Sequence, residues 1–152
     1  MPLRSIIGIV LVTALSCGWL TVDATHNVVE QRHIQVALRK IGHQVLIHAE
    51  DSTSRVLPIH KKDDRYIVKF ESEFALNPDD LVRSVQTVFE EYNIEESYIV
   101  EVEECESEAI AYSYEVQTQP ADSVGFCADR TLPKGCYNLL FTLLDGSADE
   151  LV

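Results

Sequence analysis

Apolar positions change their spacing several times along this chain, and each change predicts an element. Residues 6–22 form an apolar run without a charged side chain. Over residues 27–50, Ile34, Leu38, Ile41, Val45 and His48 recur at steps of four, three, four and three, while Arg32, Arg39 and Lys40 fall elsewhere. That is the stripe of a long amphipathic helix. Gly42 weakens it by up to ~1 kcal/mol and allows a close approach from a neighbour. Asp51, Ser52, Thr53 and Ser54 bond their own backbone readily and end it in a turn.

Period-two alternation then takes over. Tyr66, Val68 and Phe70 alternate with Arg65, Lys69 and Glu71, which predicts a strand over 65–71. Residues 61–64 are its turn and 55–59 its partner, an edge strand because Pro58 has no N–H for a ladder. Asn77-Pro78-Asp79-Asp80 is a helix start: a capping side chain, proline at the first position, and two acids at the positive dipole end. Leu81, Val85, Val88, Phe89 and Tyr92 supply its apolar face. Strands follow at 97–103 and 109–116, the second with Ile110, Tyr112, Tyr114 and Val116 on one face. After a loop of about twenty residues comes 137–144, almost wholly apolar and therefore a central strand. The order α-β-β-α-β-β-β describes an α+β domain, with a long N-terminal helix and a second helix packed on a small antiparallel sheet.

Composition narrows the setting. With 152 residues the chain is one domain of ordinary size, and 46% hydrophobic content fits a folded one. A formal charge of -13 disfavours nucleic acid as a partner. Arg4 precedes the apolar run of 6–22, which is at the lower length limit for a spanning helix. Three arrangements fit. Residues 1–24 are a signal anchor with Trp19 at the interface, a cleaved signal peptide, or a lipoprotein signal in which Ala14-Leu15-Ser16-Cys17 approximates a lipobox and Cys17 is the lipidated residue. Each exports the remainder: a single domain over 27–144 and a polar tail at 145–152, facing the periplasm or another extracytoplasmic space. The N-terminal segment is then the one membrane contact.

Export decides how the cysteines are read. Cys127 and Cys136 stand nine apart, one in the long loop and one at a strand start, and are expected to form a disulfide that fastens the loop. Two buried thiols are the alternative. Cys105 is left free, intermolecular or otherwise paired.

Catalytic signals are absent: there is no G-x-S-x-G, P-loop, dinucleotide glycine cluster or kinase signature. Glu101, Glu103, Glu104, Glu106 and Glu108 surround Cys105 and oppose thiolate formation. Alternation along a strand also splits those acids between two faces, so no metal or other cofactor is expected. The five histidines lack H-x-x-x-H spacing. Ser52, Thr53, Ser54 and Arg55 are the candidate contact for a ligand or partner, with closure of the helix-to-strand corner as their structural role.

The segment 37–43, Ala-Leu-Arg-Lys-Ile-Gly-His, the segment 51–58, Asp-Ser-Thr-Ser-Arg-Val-Leu-Pro, and the stretches 98–105 and 127–140 carry a likeness. Together they resemble the N-terminal extracytoplasmic region of bacterial winged-helix transcriptional regulators that carry a single membrane anchor. The likeness spans roughly residues 28–144. It implies an extracytoplasmic sensory or interaction module. The exported acidic domain, the absence of catalytic motifs and the long helix beside the leader add the expectation that it is non-enzymatic and binds a protein partner, a second copy or a small ligand. The basic winged-helix half does not appear in this sequence, and DNA binding is not carried over with the resemblance.

Overall fold

The computed structural model describes residues 22–117 and 131–144, with side chains from Val28 onward. Packing divides the chain into two units, Met1–His33 and Ile34–Val152. The described part of the first is the beginning of helix α1, Val22–His48. The second holds everything else: β1 (His60–Lys62), β2 (Arg65–Val68), β3 (Phe74–Leu76), α2 (Pro78–Glu91), β4 (Ser97–Glu104), β5 (Ile110–Val116), β6 (Leu132–Gly135) and β7 (Tyr137–Leu144). The class is α+β, as the apolar pattern predicts. The leader, the lipobox with Cys17, Cys127 and the tail at 145–152 lie outside the described residues. Among the described residues no helix is long and apolar enough to cross a membrane.

From Ile34 onward α1 buries Ile34, Ala37, Leu38, Ile41, Val45 and Leu46. Leu46, and not the exposed His48, completes the stripe. The helix stops where Glu50 turns left-handed, with φ of 60°. The Glu50 N–H then donates to the Ile47 carbonyl at 3.0 Å and the Asp51 N–H to the Leu46 carbonyl at 2.9 Å, satisfying two orphan acceptors. Helix α2 ends the same way at Asn93, where the Ile94 N–H reaches the Phe89 carbonyl at 2.9 Å. Its start is the predicted one: Asn77 is the N-cap, and its Oδ1 accepts from the Asp79 N–H at 2.9 Å.

Five strands form one antiparallel sheet in the order β1-β2-β7-β4-β5, and β3 pairs with β6 in a second, two-stranded sheet. β7 is central, as its apolar run predicts, flanked by β2 and β4. Tyr66, Val68, Leu139, Phe141, Tyr98, Val100 and Val102 join the helices in the core. The hairpin and β5 depart from their patterns: β2 stops at Val68, and its partner strand is His60–Lys62 in place of the expected 55–59. The hairpin turn is Asp63-Asp64 alone, and pairing resumes at the Val56–Phe70 bridge after a one-residue slip around Pro58. Along β5, Val102 faces Tyr112 but Glu103 faces Ile110, so Ala111 is an extra residue. That bulge takes Ile110 off the predicted apolar face and leaves it 43% exposed.

Gly42 sits where α1 meets the hairpin. A Cβ there would lie 2.9 Å from Val56 Cγ2 and 3.1 Å from Val68 Cγ1. Gly42→Ala gains up to ~1 kcal/mol of helix propensity, but overpacking costs about 1–3 kcal/mol. A net loss of roughly 1 kcal/mol is therefore expected in urea unfolding. Combining it with Val56→Ala should cost less than the two single losses added.

Candidate functional site

The polar corner at residues 51–55 is occupied with its own chain. Asp51 Oδ1 accepts from the Thr53 N–H, the Thr53 hydroxyl and the Ser54 N–H, each at 3.0 Å, and Oδ2 accepts from the Ser72 hydroxyl at 2.8 Å. The Arg55 guanidinium donates to both oxygens of Glu71, Nε at 3.2 Å and Nη2 at 3.0 Å. Hydrogen bonds from Ser54 foremost, then Ser72 and Thr53, hold the Asp51 carboxyl well below the usual carboxylate range. Arg55 lowers Glu71, and Glu71 in turn raises Arg55. Three of the four residues singled out in the sequence thus close the corner between α1 and the hairpin, and the cavities described below are lined by other residues.

Both carboxylates have lower pKa values folded than unfolded, so their stabilisation is present above the unfolded values and lost as pH falls through the folded ones. The Tm of the wild type should fall progressively on acidification below pH 4.5, the ordinary Glu71 value. Asp51→Asn should start lower at neutral pH and show a shallower acid dependence.

The bridge is Cys105–Cys136, with sulfurs 2.03 Å apart and Cα atoms 5.4 Å apart. This corrects the expected Cys127–Cys136 pairing. The physical reason is register: β4 and β7 run antiparallel with Glu104 opposite Tyr137, so Cys105 and Cys136 are the next facing pair. The Cys105 N–H also donates to the Cys136 carbonyl at 3.1 Å. Cys105 therefore has no thiol to titrate or attack with, and Cys136 is exposed.

The sheet face away from the helices is the larger recess. Its rows, read across β2, β7 and β4, are Arg65–Thr142–Ile99 and Ile67–Leu140–Glu101, followed by Asn138–Glu103 with Lys69 two residues beyond Ile67. Leu140 is only 4% exposed yet lies outside the main core cluster. The face encloses a groove of about 610 Å³ lined by Lys62, Arg65, Lys69, Glu103, Glu108 and Asn138 among others. An ion pair from Arg65 Nη1 to Glu101 Oε2 at 3.5 Å crosses it. Strand spacing places the β2 and β4 walls ~10 Å apart, within the size range of small-ligand sites. A smaller cavity of about 310 Å³ lies where α1 ends and α2 begins, beside His48, Asn77 and Asp80. There the His48 Nδ1 is 3.4 Å from the buried Ser84 hydroxyl. Among the described residues no group of three or more His, Cys, Asp or Glu side chains could hold a metal ion.

Sequence reasoning missed the groove because its residues are scattered over three strands. Alternation did mark Arg65 and Lys69 as the polar side of β2, and only the β2-β7-β4 order brings them beside Glu101 and Glu103. Comparison with family models, curated proteins and solved structures returned no significant match. The functional reading therefore rests on the chain itself.

Proposed function

We propose that this chain is a membrane-tethered extracytoplasmic sensory or interaction domain that binds and does not catalyse. The Cys105–Cys136 disulfide carries the reading, because such bonds persist in oxidising compartments. The apolar run at 6–22 and the acidic body agree with export. An open sheet face with a groove, and a polar corner whose donors are already engaged, favour binding over chemistry. The resemblance to the extracytoplasmic part of anchored winged-helix regulators supports a role in signalling.

The partner is a protein, a second copy or a small ligand, and the membrane is reached through the N-terminal segment. Crosslinking in intact native cells should trap a discrete adduct. A chain that is always alone, with no ligand found, would count against the proposal. Mass spectrometry of the mature N-terminus separates the tethers. Intact Met1 identifies the anchor, whereas a lipidated Cys17 or a cleaved leader identifies an envelope protein with a structural or inhibitory binding role.

A further inference from the structure

The Cys105–Cys136 bridge lies within reach of solvent. Cys136 is exposed, Cys105 is half-buried, and both line a cavity of about 340 Å³. A disulfide in that setting is an electrophile that an outside thiolate can meet without unfolding the domain. The two sulfurs are not equivalent. Cys105 Sγ packs 3.7 Å from Oδ1 of the buried Asn138, and its chain neighbours Glu104 and Glu106 line the same cavity. Cys136 follows Lys134 and Gly135 and is the more open of the pair.

Charge at the cavity is one-sided. Glu73, Glu104 and Glu106 line it, against Lys134 as the one base among its lining residues. A thiolate flanked by further negative charge is held off by this field, and one flanked by cations is drawn in, each by several-fold at contact distances in a watery setting. Opening the bridge also has a local consequence. β4 and β7 remain joined by eight facing pairs, from Ser97–Leu144 to Glu104–Tyr137. β6, directly before Cys136, meets β3 through two pairs, Phe74–Gly135 and Leu76–Leu132, with a register shift between them. The short sheet is therefore what the bridge holds in place, and the main sheet stands without it.

We propose that this bridge is a thiol-exchange site whose reactant is a thiol carried among positive charges. The incoming thiolate attacks Cys136 Sγ, forms a mixed disulfide with Cys136 and expels Cys105 as a thiolate. Cys105 then takes a proton from water, because the surrounding glutamates oppose its negative charge. A second thiolate attacks the mixed disulfide and releases Cys136. Both cysteines are then reduced, and the two reactant thiols leave oxidised as their own disulfide. This rests on the sensory reading above and names its input. A small aminothiol and a cysteine on a basic protein share the required chemistry.

Timed reaction of the folded full chain with end-blocked Lys-Cys-Lys, Ala-Cys-Ala and Glu-Cys-Glu and with cysteamine, followed by acid quenching and peptide mapping, tests it. Per thiolate, Lys-Cys-Lys should react about tenfold or more faster than Glu-Cys-Glu, with Ala-Cys-Ala between them. The trapped adduct should sit on Cys136, with Cys105 free. Glu104→Gln with Glu106→Gln keeps an oxygen for the Ser107 hydroxyl and should remove most of that difference. Glu95→Gln with Glu96→Gln removes the same charge beyond the other end of β4, ~20 Å away, and should change it little. After reduction, hydrogen exchange should rise over residues 132–136 and stay slow over 139–143. Cysteamine as fast as Lys-Cys-Lys supports the site with a small aminothiol as its reactant, and a much slower cysteamine supports it with a protein cysteine. Equal rates for the three tripeptides, an equal effect of the remote pair, an adduct on Cys105, or lost protection along β7 overturns the inference. So does a rate independent of thiol concentration, which means that the bridge opens only when the domain unfolds. The binding reading survives each of these wherever crosslinking still traps a partner.

Discussion

Removing the bridge by Cys105→Ser with Cys136→Ser should lower the unfolding free energy by roughly 3–4 kcal/mol, the loop-closure value for a separation of 31 residues. On a domain of this size that lowers Tm by more than about 10 °C. The bond joins the end of β4 to the start of β7, the two longest strands, and the loop it closes contains β5 and β6. Its loss frees the unfolded chain and loosens the corner against which Asn138 is held. Cys127→Ser is the decisive control. It should leave both stability and the bridge unchanged, since Cys136 is already paired with Cys105. Thermal unfolding of the wild type and these two variants, with and without reductant, measures all of this. A Cys127→Ser protein as unstable as the double variant would contradict the pairing.

Phe141→Ala should cost about 3–5 kcal/mol in chemical unfolding. Phe141 is fully buried on the central strand, among the largest side chains in the core. It faces Val100 on β4 and Tyr66 on β2, and its ring centroid is 6.4 Å from that of Phe89 on α2. Deleting it opens a cavity between sheet and helix that neighbours held by strand pairing fill only in part. Thr142, the next residue, points to the groove face, and Thr142→Val should cost far less. If the two substitutions cost the same, the assignment of faces along β7 is wrong.

Those two faces are also where the sequence was most and least legible. Helix α2 was readable because Asn77 and Pro78 place its start by local chemistry alone, and β7 because eight nearly apolar residues fit only a central strand. β3 and β6 were not, being three and four residues long and paired across more than fifty positions of sequence. No local periodicity reports such a pairing. Ile110 was misplaced because a bulge changes the alternation without any residue type announcing it. The cysteines teach a related lesson. Nearness in sequence favoured Cys127 as the partner of Cys136, whereas strand register decides which Cα atoms reach bonding distance. Given the hairpin of β4 with β5 and a central β7, Cys105 opposite Cys136 follows only once β4 and β7 are known to be neighbours.

The corner at 51–55 shows the reverse. Its Ser, Thr and Arg residues look like a ligand cradle in one dimension, yet Asp51 and Glu71 consume them. Asp51 is local, but Glu71, sixteen residues from Arg55, cannot be matched to that arginine by pattern alone. The ion pair itself is solvent-exposed and contributes little to stability, so its role is to set the path of the chain.

The most direct measurement is peptide mapping, without reduction, of the native polypeptide after its free thiols are alkylated in intact cells. The account predicts one cross-linked pair of peptides, containing Cys105 and Cys136, recovered with the cell envelope. Recovery from the cytosol with both cysteines alkylated would contradict it.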